Sequence, residues 1–143
     1  MRARAVRDKM IELLEGIAPD QKASSADVFR SMSVIHEQIP RDRSFVVERA
    51  APQSPSTDLL STIGATPDPY EIRWIVQFFY TQGGDTVQNR LLDDGDLICD
   101  ALRNLTNEQQ IRTVDIEGSS DLEDANIVVA SYDVKVTYDR REA

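Results

Sequence analysis

The stretch EIRWIVQFFYTQGGDTVQNR (71–90) decides how this chain folds. Its first half is dense in branched and aromatic residues that fit a pleated surface, so it reads as a strand. Gly83 and Gly84 then lead to Asp85 and to apolar residues at helical spacing. A strand that turns through glycines into a helix is the frame of many phosphate-binding loops. Here, however, neither G-x-G-x-x-G nor G-x-x-x-x-G-K-[ST] is present. Asp85 would itself take the anion's place by capping the helix, with Gln88 three residues later completing a capping box. The double glycine is therefore read as a reversal from strand to helix, where backbone angles closed to other residues are useful.

The helix so begun runs from about Thr86 to Leu105, with Val87, Leu91, Ile98, Leu102 and Leu105 as its buried stripe. A first helix is carried by RARAVRDKMIELLEGIAP (2–19), where Val6, Met10, Leu13, Leu14 and Ile17 recur at helical spacing and Gly16 with Pro19 supplies the stop. RSFVVERA (43–50), IRTVDIEG (111–118) and NIVVASYDVKVTYDR (126–140) are further strand patterns, the last two separated by the acidic turn SSDLEDA (119–125). Residues 20–33 show no clear period, and Val34 to Ile39 suits a short extended piece. The order is α-β-β-α-β-β, an α+β class. At 143 residues and 41% hydrophobic content the chain fits one domain with its own core.

Between the first two strands lies APQSPSTDLLSTIGATPDP (51–69), nineteen residues with four prolines. A connection of that length within a compact domain is usually functional or mobile. Leu59, Leu60 and Ile63 are its candidates for touching a partner. In the strand at 71–81, Trp74, Val76, Phe78 and Tyr80 share one face, yet Ile75 and Phe79 make the opposite face apolar too. The last strand repeats this with Ile127 and Val129 opposite Val128 and Ala130, before Tyr132, Val134, Val136 and Tyr138 settle into alternation with polar residues. The second face must be covered by the first helix, by the long loop or by a neighbouring subunit. That makes Ile75, Phe79, Ile127 and Val129 candidates for a subunit interface.

Sixteen basic against twenty-five acidic residues leave a net charge of −9, which disfavours general binding of polyanions. One cysteine, Cys99, allows neither an internal disulfide nor a cysteine metal cluster, and the absence of a signal peptide or long apolar run points to a soluble protein of a reducing compartment. His36, the sole histidine, has no nucleophile at recognisable spacing, and Ser24, Ser25, Ser31 and Ser33 lie in polar, loop-like context. Asp93, Asp94 and Asp96 with Asp100 do not follow the calcium-loop pattern and read as a solvated acidic helix surface. No catalytic residue, metal or cofactor is expected.

The layout of a helix, DRSFVVE, a long loop, RWIVQFFYT, a capped helix with DDGDLICDAL and a terminal hairpin ending SYDVKVTYDRRE resembles the tail terminator, or tail completion, proteins of long-tailed bacteriophages. The likeness is one of order, size and texture over most of the chain. It implies a small mixed or antiparallel four-stranded sheet packed by two helices, in a subunit that forms a hexameric ring. Such a ring caps the head-proximal end of the tail tube, stops its growth and meets the head connector or stopper protein, so the implied partners are further copies, the tube protein and the connector, in a virion assembled in the bacterial cytoplasm. DNA would pass through the lumen without specific binding, repelled by acids among which Asp93, Asp94, Asp96, Asp100, Asp121, Glu123 and Asp124 are candidates. A head completion protein of the same neck is the nearest alternative, and a monomeric α+β ligand-binding module is the alternative of another class.

Overall fold

The computed structural model describes residues 1–19, 29–31, 42–50, 54–55, 69–81, 85–124 and 127–140. Along the chain come α1 (Ala3–Glu15), β1 (Arg30–Ser31), β2 (Ser44–Arg49), β3 (Ser54–Pro55), β4 (Pro69–Tyr80), α2 (Asp85–Arg103) with a 3-10 turn at Asn104–Asn107, β5 (Ile111–Asp124) and β6 (Ile127–Asp139). The class is α+β, with two helices and a mixed sheet among the described residues. The sheet runs β1-β2-β4-β6-β5, with β3 added on β4. All pairings are antiparallel except that of β1 with β2.

The four strands expected from sequence are the four long ones, and the sheet exceeds four because two-residue strands extend it. β1 and β3 are too short for any side-chain period to show. β3 also corrects the reading of residues 51–69 as loop throughout. From Arg49 opposite Trp74 to Ser54 opposite Glu71, the chain advances five residues against three on β4, so β3 resumes the edge that β2 left. Pro55 is admissible there because an edge strand need not donate every amide. Pro69, at the end of that segment, already belongs to β4, and residues 51–53 and 56–68, with Leu59, Leu60 and Ile63, lie outside the described residues, as do Val34 to Ile39, His36 and the double glycine. α2 begins at Asp85, whose capping side chain is likewise outside them. The expected acidic turn is a second correction: β5 continues through Asp124, so SSDLED is strand.

One face of the sheet carries the core. Ile72, Trp74, Val76, Phe78 and Tyr80 of β4 and Val128 to Tyr138 of β6, at every second residue, pack with Val6, Met10 and Leu14 of α1 and with Val87, Leu91, Ile98 and Leu102 of α2. Phe78 lies at the centre of an aromatic cluster, with ring centroids 5.6 Å from Phe29, 5.3 Å from Phe45 and 5.8 Å from Tyr132. The contacts to Phe29 and Tyr132 are edge-on, the arrangement that ring quadrupoles favour.

Charge enters this core at one point. Arg43 and Asp94 are both fully buried, and the guanidinium grips the carboxylate through Nε (2.9 Å) and Nη2 (3.2 Å). Tyr80 adds its hydroxyl, donated to Asp94 Oδ2 at 2.8 Å. Beside it Arg90 pairs with Asp42, whose other oxygen accepts the Thr81 amide at 3.1 Å. The expectation that Asp94 is a solvated acid of the helix surface is therefore corrected. It occupies the apolar stripe between Leu91 and Ile98, and burial there is tolerable because a cation and a hydroxyl satisfy it.

Removing one partner of a buried pair strands the other. Asp94→Ala should lower the unfolding free energy by about 3–5 kcal/mol, whereas Asp96→Ala, at an exposed position one half-turn on, should stay within about 0.5 kcal/mol of the parent. Urea titration followed by circular dichroism measures both, and equal effects would contradict the assignment.

Candidate functional site

The face of the sheet opposite the helices is the candidate. Val46 and Phe79 are buried, at 3% and 6% exposure, yet stand apart from the core cluster that holds both helices. Strand pairing aligns Ser44, Phe79, Val129 and Leu122 in one row across β2, β4, β6 and β5. Ile75, Ile127 and Val129 are half-buried, and Leu122 is 66% exposed. The apolar character of this face is thus concentrated at the end where β5 and β6 meet.

Its other end is ionic. Arg73 pairs with Glu117, and Lys135 lies 3.8 Å from Asp115. Arg112 holds Asp139 at 2.8 Å. The division follows from the sequence of β6, whose outward residues change from Ile127 and Val129 to Asp133 and Lys135.

Of the four interface candidates, Ile75, Ile127 and Val129 remain partly accessible, whereas Phe79 is already covered within the subunit. Leu122 joins them, and sequence reading missed it because it was assigned to a turn. Two-residue alternation in DIEGSSDLED is the signal that could have found it, blurred by the register shift between Ile116 and Gly118.

The acids divide as well. Asp94 is internal. Asp96 and Asp100 are exposed on α2, Asp93 is half-buried, and Asp121 and Glu123 are exposed on the distal half of β5. Asp96 and Asp121 come close to the same phenol, that of Tyr132, so the helix and the hairpin share one acidic side. The side chain of Asp124 lies outside the described residues.

Cys99 is half-buried on α2, and burial raises its thiol pKa, which lowers its nucleophilic fraction. Among the described residues no group of three or more His, Cys, Asp or Glu side chains could hold a metal ion, and no helix is long and apolar enough to cross a membrane. Compared with known protein-family models and with curated proteins, the chain matches none.

Burial pushes the Tyr132 phenol up to about 12, with Cys99, Asp121, Asp94 and Asp96 adding to the effect through their charges. The folded chain therefore holds this proton more tightly than an unfolded tyrosine of pKa 10.0. Its contribution is complete below the unfolded value and is lost as pH rises through the folded one. Tyr132→Phe should accordingly flatten the fall in stability between about pH 10 and pH 12. Urea midpoints measured for both proteins across that range check it, and parallel curves would exclude a role for Tyr132.

Proposed function

We propose that the chain is a structural subunit of a long-tailed bacteriophage virion, the tail terminator, whose ring caps the head-proximal end of the tail tube and joins it to the head connector. The observation that supports this best is the partly exposed apolar row at Ile127, Val129 and Leu122 on the face that neither helix covers. An apolar strip with a polar surround is the ordinary form of a protein contact. Ring subunits need two different surfaces, because contacts in a closed ring run head to tail. The terminator resemblance of the sequence gives the ring its place.

In this reading DNA passes through a lumen that repels it. Asp96 and Asp100 of α2 are the acids best placed by exposure to supply that repulsion, with half-buried Asp93 beside them. The role asks for no reaction, cofactor or metal, and the work of the protein is to stop one polymer and present a surface to another.

A tube of identical rings keeps growing wherever its repeating surface stays exposed. Deleting the gene in its phage should leave DNA-filled heads beside unattached tails of abnormal length. Leaking heads beside tails of normal length would assign the chain to head completion instead. At the level of the subunit, Val129→Asp with Leu122→Asp should yield a folded monomer, because a charge in a dry contact costs several kcal/mol. Sedimentation and circular dichroism read the result. A wild-type chain that stays monomeric at every concentration and beside its tube protein would favour a ligand-binding module.

A further inference from the structure

A groove lies between the first half of α1 and strands β2 and β4, at the end of the sheet away from the β5–β6 turn. Its volume is about 580 Å³, and its walls include Arg4, Arg7 and Arg49 together with Val47, Ile72 and Trp74. One carboxylate, Glu48, lines it as well. In a chain of net charge −9, three guanidinium groups around one groove are a local reversal of sign. Among the described residues, Arg4 and Arg7 make only long ionic contacts to Asp8, at 4.0 and 3.6 Å, and Arg49 has no ion pair.

Two donors in these walls lack an acceptor. The indole Nε1–H of Trp74, on a residue 4% exposed, and the Nε–H of Arg7 are buried with no hydrogen-bond partner among the described residues. An indole nitrogen can only donate, and a buried donor left unsatisfied is costly. The groove is therefore short of acceptors on an apolar floor. Its complement is an acidic segment that also carries an apolar side chain.

The same chain displays one. On the distal half of β5, Asp121 and Glu123 are exposed on either side of Leu122, and strand alternation sends the acids to one side and the leucine to the other. This hairpin end cannot reach the groove of its own subunit. It flanks Tyr80, which is paired with Val128, whereas the groove lies at Trp74, six residues away along the same strand or about 20 Å. The sheet holds that separation fixed.

We infer that the acidic end of the β5–β6 hairpin of one copy docks in the Trp74 groove of the next, and that this is the head-to-tail contact of the ring. The inference rests on the ring reading above. Carboxylates of Asp121 and Glu123 supply acceptors to Arg4, Arg7, Arg49 and Trp74, while Leu122, on the other side of the strand, stays with the apolar row at Ile127 and Val129. The contact joins two different patches, which is the geometry that closes rings. Duplex DNA would satisfy the arginines alone and is disfavoured by the charge of the whole molecule. Asp121 and Glu123 then belong to the subunit contact rather than to the lumen.

Trp74 is the only tryptophan, so its fluorescence reports the groove directly. The test compares the wild-type chain with R4E/R7E, with D121K/E123K and with the chain carrying all four changes, by sedimentation and Trp74 emission at low and high salt, with circular dichroism as the fold control. Wild-type assembly should shift the emission and weaken with salt. Each double variant should assemble about a hundredfold or more weakly, because like charges then face one another. The fourfold variant should recover, since both partners are reversed together. A ring that forms equally well in both double variants would overturn the groove contact and leave the ring reading standing. A wild-type chain that never assembles, even with its tube protein, would overturn both. Weakening without recovery in the fourfold variant would overturn the pairing, and so would an intact R4E/R7E ring that has lost binding to duplex DNA.

Discussion

The buried exchange of charge between residues 42–43 and helix α2 is the constraint on which the remaining structure depends. Two consecutive residues, Asp42 and Arg43, pair with two residues one helical turn apart, Arg90 and Asp94. Because the signs are crossed, only one rotation and one height of α2 over the sheet satisfy both pairs. A stripe of leucines and valines alone would allow the helix to slide at modest cost, since apolar contact has no direction. The pairing also explains the left-handed backbone at Arg43, with φ of 61°, unusual for a side chain of that size. That conformation goes with an amide that donates to Phe79 O at 2.7 Å and a carbonyl that accepts from Arg30 at 3.3 Å, tying the ends of β1, β2 and β4 at one place. A buried ion pair is weak as a source of net stability, while breaking one by removing a partner is costly, so the arrangement that keeps both pairs is the favoured one.

Fixing both helices on one face leaves the other to different work. The inner residues of β4 and β6 alternate without interruption. Their outer residues form an apolar patch at the hairpin end and an ionic lattice at the other. Arginines gather beside the start of α1, while exposed acids gather on α2 and the hairpin. The molecule is thus unlike at its two ends in both charge and apolar character, which is what the proposed head-to-tail association would require.

Much of this was legible in the sequence, and the misses have physical causes. Both helices and the four long strands follow from apolar residues recurring at helical spacing or gathered in branched and aromatic runs. β1 escaped because two residues carry no period, and β3 because proline and serine read as loop. SSDLED reads as a turn because it is serine and acid around one leucine, and the register shift between Ile116 and Gly118 puts that leucine out of phase with the alternation before it. Asp94 was the avoidable error. It stands three residues after Leu91 and four before Ile98, inside the stripe, and an acid at such a position should prompt a search for a buried cation. The Trp74 groove was beyond reach, because Arg4, Arg7 and Arg49 meet only once α1 lies across β2 and β4.

The long edge of the sheet bears on how copies can associate. β5 is fourteen residues long and, among the described residues, pairs on one side only, with β6. Such an edge invites strand addition by another chain. Here the register shifts at Ile111/Thr113 and Ile116/Gly118, and charges at Arg112, Asp115, Glu117, Asp121 and Glu123, oppose it. Pairing that edge with the same edge of a second copy would be isologous and would close as a dimer, not as a ring. A contact made through side chains at the hairpin end instead sets its own angle between neighbours. In the proposed ring, closure at a fixed number would follow from that angle and not from the backbone ladder.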